Sequence, residues 1–292
     1  MNPGYPEWLK KKFINSPHVD EMRALLLKTN VRTICQGARC PNLNECFSRR
    51  TATFMILGGR CTRSCRFCAV GRGNPGAVDA EEPYRIAEAV AVLELRHVVI
   101  TSVTRDDLAD GGAGQFALTI KAIKKKVKGA TVEVLTPDFQ GSQAALEKVL
   151  AAEPDVFNHN VETVPRLYPE IRPEASYFRS LSLLKRARAS NKNLVTKSGL
   201  MVGLGETREE VWALLGDLKD VGCDVVTIGQ YLRPSPRQVP VKEYVLPEVF
   251  SLYRTWGAKQ GFRAVQAGPF IRSSYRARET FTACFTGSRK DL

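Results

Sequence analysis

Three thiols stand within eight residues in Cys61-Thr62-Arg63-Ser64-Cys65-Arg66-Phe67-Cys68, directly after the apolar run Phe54-Met55-Ile56-Leu57-Gly58-Gly59. Thiolates are soft ligands suited to zinc and to iron–sulfur clusters. A cubane cluster is usually held by four cysteines, so three on one loop leave one iron free to bind and polarise a substrate. A second trio, Cys35-x4-Cys40-x5-Cys46, lies just upstream, with Gly37, Pro41 and Asn42 between its members. Those residues predict a loop, a geometry in which spaced thiolates wrap one cluster. Structural zinc sites pair C-x2-C units or add histidines at short spacing, whereas no histidine falls between residues 19 and 96. Disulfide frameworks belong to short secreted chains, and a buried set of unreactive thiols is the remaining alternative for the upstream trio.

The C-x3-C-x2-C spacing with an aromatic residue, here Phe67, before the last cysteine is similar to the motif of the radical S-adenosylmethionine enzymes. The resemblance implies that Cys61, Cys65 and Cys68 hold a catalytic 4Fe-4S cluster. Its open iron would be chelated by the amino and carboxylate groups of S-adenosylmethionine, which is cleaved to a 5'-deoxyadenosyl radical. The upstream C-x4-C-x5-C resembles the paired arrangement of the lipoyl synthase family, in which the trio matching Cys35, Cys40 and Cys46 carries an auxiliary 4Fe-4S cluster. Near the C-terminus, Gly268 to Arg276 reads on its own as an exposed polar turn. The resemblance overrides that reading: Arg272-Ser273-Ser274-Tyr275 matches a family motif whose second serine, here Ser274, is the fourth auxiliary-cluster ligand and a catalytic residue.

These residues need a scaffold. A chain of 292 residues with 43% hydrophobic content can bury one large core and form one main domain with extensions. Short β-branched runs predict strands at 53–57, 97–102, 131–135, 156–158, 194–202 and 225–228, alternating with helical periods at 81–95, 114–127, 142–152, 177–190, 208–221 and 247–260. The 208–221 segment carries a capping box, Thr207 with Glu210, and ends at Gly222. A further helix at 18–27 follows Ser16-Pro17. The alternation argues for an α/β fold with a parallel sheet, and periodicity leaves an open sheet and a barrel both possible. The family resemblance, which covers residues 35–276, implies a partial (β/α)6 TIM-type barrel with N-terminal and C-terminal extensions that carry the auxiliary iron–sulfur cluster. The division is then 1–50, 51–268 and 269–292.

In such barrels the site forms where strands run into the following loops. Thr104, Arg105, Asp106 and Asp107 follow the second predicted strand, His159, Asn160, Glu162 and Thr163 the fourth, and Gln230, Tyr231 and Arg233 the sixth; Lys197 lies within the fifth. The segments Thr101–Val103 with Arg105–Leu108, His159–Thr163 and Lys197–Glu206 resemble the lipoyl synthases closely. By that resemblance S-adenosylmethionine lies near Phe67, Thr104, Asn160, Glu162 and Lys197, with Gly203 and Gly205 allowing close backbone approach. Gly199-x3-Gly203-x-Gly205 fits neither the dinucleotide nor the Walker spacing. His18, His97 and His159 read as structural residues, and Cys223 and Cys284 as ordinary thiols.

The resemblance implies a sulfurtransferase that inserts sulfur at C6 and C8 of an octanoyl chain on a lysine of a lipoyl carrier protein. The carriers are the lipoyl domains of 2-oxoacid dehydrogenases and the glycine cleavage H protein. The family uses two S-adenosylmethionine molecules, takes sulfur from the auxiliary cluster, and draws electrons from a low-potential donor such as ferredoxin or flavodoxin. Unactivated C–H bonds lie beyond polar general bases, so a cofactor must supply the chemistry. A net charge of +13 and a pI near 9.5 favour an acidic partner, and lipoyl carriers tend to be acidic. A tRNA-modifying sulfur-inserting radical enzyme and a zinc-binding RNA protein are the rivals. The first lacks an appended RNA-binding module and the second conflicts with both cysteine spacings, so no nucleic acid is expected. No apolar run reaches the ~20 residues of a membrane span, and Lys10-Lys11-Lys12-Phe13 lacks the apolar core of a secretory signal. With six of eight cysteines between 35 and 68, a reducing cytoplasm is the expected compartment.

Overall fold

The computed structural model describes residues 4–12 and 14–286. Its frame is one eight-stranded sheet in which seven strands run parallel and in chain order: Thr53–Ile56, His97–Ser102, Thr131–Leu135, Val156–Asn158, Val195–Val202, Val225–Gln230 and Ala264–Gly268. The two-residue strand Arg32–Thr33 adds an antiparallel edge to Thr53–Ile56. Among the described residues the first and last parallel strands do not pair, so the sheet curls into a barrel that stays open. The β-branched runs become strands because both faces are covered, which is the burial a parallel sheet requires: Val98, Ile100, Val132, Val134 and Ile228 are completely buried.

All six predicted strands are present, and Ala264–Gly268 is a seventh. Its alanines and central Gln266 carry no β-branched run, yet five residues pair in register with Val225–Gly229. The upstream cysteine segment also departs from the predicted loop. It contains two short helices, Ile34–Gly37 and Leu43–Ser48. The Thr33 side chain accepts from the Gln36 amide to start the first, and Pro41 and Asn42 occupy the turn between them.

The main helices sit where the periodicity predicts. Arg208–Asp220 has both halves of its capping box, the Glu210 amide donating to the Thr207 hydroxyl and the Thr207 amide to the Glu210 carboxylate. Helix Pro17–Lys28, capped by Ser16, buries Val19, Met22 and Leu26 in the same core as the strands. Helix Ala277–Thr286 plugs the other end: Phe281 and Cys284 pack against Val156, Val195, Val225 and Ala264, the first residues of four successive strands. Above this plug lies a buried polar layer. Lys197 Nζ is 2.9 and 3.2 Å from the two Glu133 oxygens, and Asn158 Nδ2 donates to Glu133 at 3.0 Å.

Candidate active site

The Cys61–Cys68 loop leaves the first barrel strand at the sheet's C-terminal end, where left-handed backbone at Leu57 and Gly58 turns the chain. A short parallel bridge, Arg60–Cys61 with Gly71–Arg72, closes the loop's stem. Backbone amides already point at its sulfurs: Thr104 N lies 3.3 Å and Arg63 N 3.5 Å from Cys61 Sγ, and Val70 N 3.4 Å from Cys68 Sγ. Such N–H contacts are among the levers that tune iron–sulfur clusters. Arg63, 5% exposed, locks the loop by donating to Asp106 at 2.6 and 2.9 Å and to Asp138 at 2.6 Å. Burial alone would raise the Asp138 carboxyl, and the Arg63 guanidinium outweighs it and holds Asp138 well below the usual range. The polar density at the strand ends therefore serves partly as struts for the cysteine loop.

A cavity of about 600 Å³ lies over this end of the barrel, lined by Cys61, Cys65 and Cys68, by Cys35 and Cys40 of the upstream trio, and by Ser274. Cys46 sits behind it with Cys35, Cys40 and Ser274 around an adjoining cavity of about 270 Å³. Burial, then the charge of neighbouring thiolates, pushes Cys46 up to about 12 and Cys35 to about 11; burial, with Cys65 and Cys61 adding, pushes Cys68 to about 12. Thiols so crowded ionise together only if a cation balances them, as metal binding does. Both donor sets thus fit iron–sulfur clusters. Among the described residues no three His, Cys, Asp or Glu side chains converge tightly enough for a single metal ion, whereas a cubane spreads its ligands over several iron corners.

A knot of polar contacts brings the C-terminal motif to the upstream trio. Asn42 Nδ2 donates to the Phe270 carbonyl at 2.6 Å, and Tyr275 OH to Glu45 at 2.6 Å. Lys11 Nζ reaches Asn42 Oδ1 at 2.6 Å and Glu45 at 2.5 Å while lying over the Phe270 ring. Residues 272–275 are consequently half-buried rather than an exposed turn. Ser273 Oγ donates to Asn160 Oδ1 at 2.8 Å, and Asn160 Nδ2 to Glu162 at 3.0 Å.

Phe67, Thr104, Asn160 and Glu162 line the large cavity; Lys197, Gly203 and Gly205 do not. Lys197 is committed to Glu133 below the cavity floor. At Gly203, with φ of +95°, a Cβ would fall 2.2 Å from Gln230 Nε2 and 2.4 Å from the Glu243 carbonyl, so the glycine serves loop packing. Gly205 approaches Lys242 only. His159 is buried between the Thr136 carbonyl and Ser180 Oγ, and burial holds its ring down at about 4, a neutral structural residue. Arg172 reaches the cavity without having been marked by the sequence, since no spacing motif links it to the cysteines, and Ser273, named only as part of the C-terminal motif, reaches it as well.

Residues 55–229 match the Radical SAM superfamily. The lipoyl synthase of Caldanaerobacter subterraneus subsp. tengcongensis is 57% identical over 272 residues, covering 93% of this chain and 95% of that protein. The lipoyl synthase of Caldicellulosiruptor saccharolyticus is 54% identical over 280 residues, covering 96% and 98%. Among solved structures, Streptococcus suis SuiB bound to S-adenosylmethionine superposes with a TM-score of 0.59 at 13% identity, covering 80% of this chain and 54% of that one. Methylornithine synthase (PylB) gives 0.54 at 15% identity, covering 85% and 81%. At those identities the structural likeness concerns the fold alone.

Proposed function

The chain belongs to the lipoyl synthases of the radical SAM superfamily, and on that premise we propose how its own residues share the sulfur-insertion reaction. Cys61, Cys65 and Cys68 hold the radical-generating cluster, and Cys35, Cys40, Cys46 and Ser274 hold an auxiliary one. When bound, these groups with S-adenosylmethionine supply a 5'-deoxyadenosyl radical and the two sulfur atoms for C6 and C8 of a protein-bound octanoyl chain. The observation that carries this reading is that Cys61, Cys65 and Cys68, two members of the upstream trio, Cys35 and Cys40, and Ser274 all line one cavity.

Thr104, Asn160 and Glu162 are the polar wall available to S-adenosylmethionine. Glu162 is oriented by Asn160, itself held by Ser273, so a carboxylate is preset toward an ammonium group. Phe67, Ile34, Val70, Val103 and Met201 give the same cavity an apolar wall that suits an alkyl chain and excludes water from a reactive radical. Exposed Arg39 and Arg233 line the cavity, and exposed Arg66 and Arg237 stand on loops beside it. These cations face an acidic lipoyl carrier, such as the lipoyl domain of a 2-oxoacid dehydrogenase or the glycine cleavage H protein. A low-potential donor of the ferredoxin or flavodoxin class supplies electrons.

Functionally the chain divides into 1–50, carrying the auxiliary cysteines, 51–268, the radical barrel, and 269–292, carrying the serine motif. No helix among the described residues is long and apolar enough to cross a membrane; the cytoplasm is the compartment proposed from the cysteine usage. Anaerobic purification should give about eight irons per chain, from two cubane clusters. Cys65→Ala should lose about half that iron and all 5'-deoxyadenosine formation, while Cys40→Ala should keep 5'-deoxyadenosine and lose thiolated product. A Cys40→Ala enzyme that still thiolates an octanoylated carrier without added sulfur donor would overturn the auxiliary role.

A further inference from the structure

Arg172 is 9% exposed and lines the large cavity. Its Nη1 donates to the Asn160 carbonyl at 3.1 Å, the Val161 carbonyl at 3.2 Å and Tyr168 OH at 3.2 Å, and the guanidinium lies 5.3 Å from the Tyr168 ring centroid. None of these partners is an anion. Among the described residues Arg172 makes no ion pair, and its buried Nε has no hydrogen-bond partner. Glu162 and Asp138 act on this charge without touching it, and a buried guanidinium with no ion pair and one donor unused is costly, so what occupies the cavity is placed to complete its partners.

The neighbouring chain indicates which face it serves. Arg66 N donates to the Ile171 carbonyl at 2.9 Å, and both the amide and hydroxyl of Ser64 donate to Glu174, at 3.1 and 2.5 Å. Segments 64–66 and 171–174 are thereby stitched on both sides of Cys65, with Arg172 between the stitches.

We propose that Arg172 is a positioning residue for radical generation, acting through Cys65: its positive charge and free N–H favour the reduced, more negative state of the cluster that this ligand helps to hold. The inference rests on the reading of Cys61, Cys65 and Cys68 as cluster ligands. The step affected is a one-electron reduction, with the electron supplied by the low-potential donor and no bond made or broken. Three thiolates already make the site anionic, and each added electron increases the negative charge next to a fixed cation. Hydrogen bonds to sulfur and net charge are the established determinants of such potentials.

The test is a potentiometric titration, followed by electron paramagnetic resonance, of the cluster that responds to S-adenosylmethionine in the full-length, fully loaded enzyme. Iron content and melting temperature are measured alongside. Arg172→Gln should retain its iron and shift the reduction equilibrium about tenfold toward the oxidised form, about 59 mV for a one-electron couple. Arg172→Lys, which keeps the charge but not the fork, should shift it by less than half of that. A loaded Gln variant that titrates at the parent potential, whatever its turnover, overturns the inference. So does loss of the S-adenosylmethionine-responsive cluster from both variants, since Arg172 would then be a structural clamp. Absence of such a cluster from the unsubstituted chain would instead fell the functional reading beneath it.

Discussion

Lys197→Met separates a role in the barrel core from one at the cofactor. Lys197 and Glu133 are both 1% exposed, with Nζ 2.9 Å from Oε1. Asn158 donates to the same oxygen, and His97 Nε2 lies 3.6 Å from the other. Methionine keeps the apolar stem and removes the ammonium, leaving a buried carboxylate without its main counter-charge, a loss of ~3–5 kcal/mol. A second route gives a similar magnitude. Burial pushes Glu133 up, but the Lys197 and His97 charges outweigh it and hold the group at about 2, against an ordinary 4.5. At ~1.36 kcal/mol per pKa unit, that corresponds to about 3 kcal/mol. Because the folded value is lowered, this stability is present above about pH 4.5 and is lost as pH falls toward 2. With ~2.1 cal/mol/K of unfolding entropy per residue over 292 residues, the melting temperature of the cluster-free chain should fall by about 5–8 °C at pH 7. The deficit should narrow in acid, and Glu133→Gln combined with Lys197→Met should recover most of it. The loaded enzyme's KM for S-adenosylmethionine should stay within about twofold. An unchanged melting temperature with a tenfold higher KM would refute the core assignment.

Two further outcomes bear on the partner and the auxiliary site. If the exposed arginines around the cavity steer an acidic carrier, kcat/KM for the carrier should fall with rising salt while 5'-deoxyadenosine formation without carrier changes little; salt-independent turnover would count against docking by charge. Ser274→Cys should load both clusters and cleave S-adenosylmethionine yet give little thiolated product, because thiolate is the softer and firmer ligand for iron. Full product from that variant, measured against 5'-deoxyadenosine in single turnover, would sink the idea of a releasable serine.

The scaffold was legible where local chemistry and tertiary demand coincide. A β-branched run buried on both faces has few alternatives to a parallel strand, so His97–Ser102, Thr131–Leu135 and Val156–Asn158 have the bounds read from sequence. Ala264–Gly268 was invisible because its strand character comes from pairing with Val225–Gly229. Ile34–Gly37 and Leu43–Ser48 span four and six residues, too short for a 3.6-residue period to repeat. The two cysteine clusters were legible because their members are close in sequence. The supports are not: Ser273 meets Asn160 across 113 residues and Asn42 meets Phe270 across 228, and no local pattern encodes such a pairing.

Lys197 shows how a correct strand can carry a misplaced site. Residues two apart share a face, so Lys197, Gly199 and Met201 all turn into the barrel. Family resemblance supplies the segment but not the depth at which each inward residue lies. Lys197 is the third residue of Val195–Val202 and pairs with Asn158 and Val225, the latter the first residue of its strand. Met201, four residues on, is the one that lines the cavity. At ~3.3 Å per residue the lysine lies about 13 Å back along the strand from it, and its ammonium is spent on Glu133. Between them, Gly199 leaves only the space that Thr227, Ser273 and Asn160 already crowd, since a Cβ there would fall within 2.6–2.8 Å of their oxygens. The lysine therefore has a packed layer between its ammonium and the cavity, and its partner can only be the carboxylate at its own level.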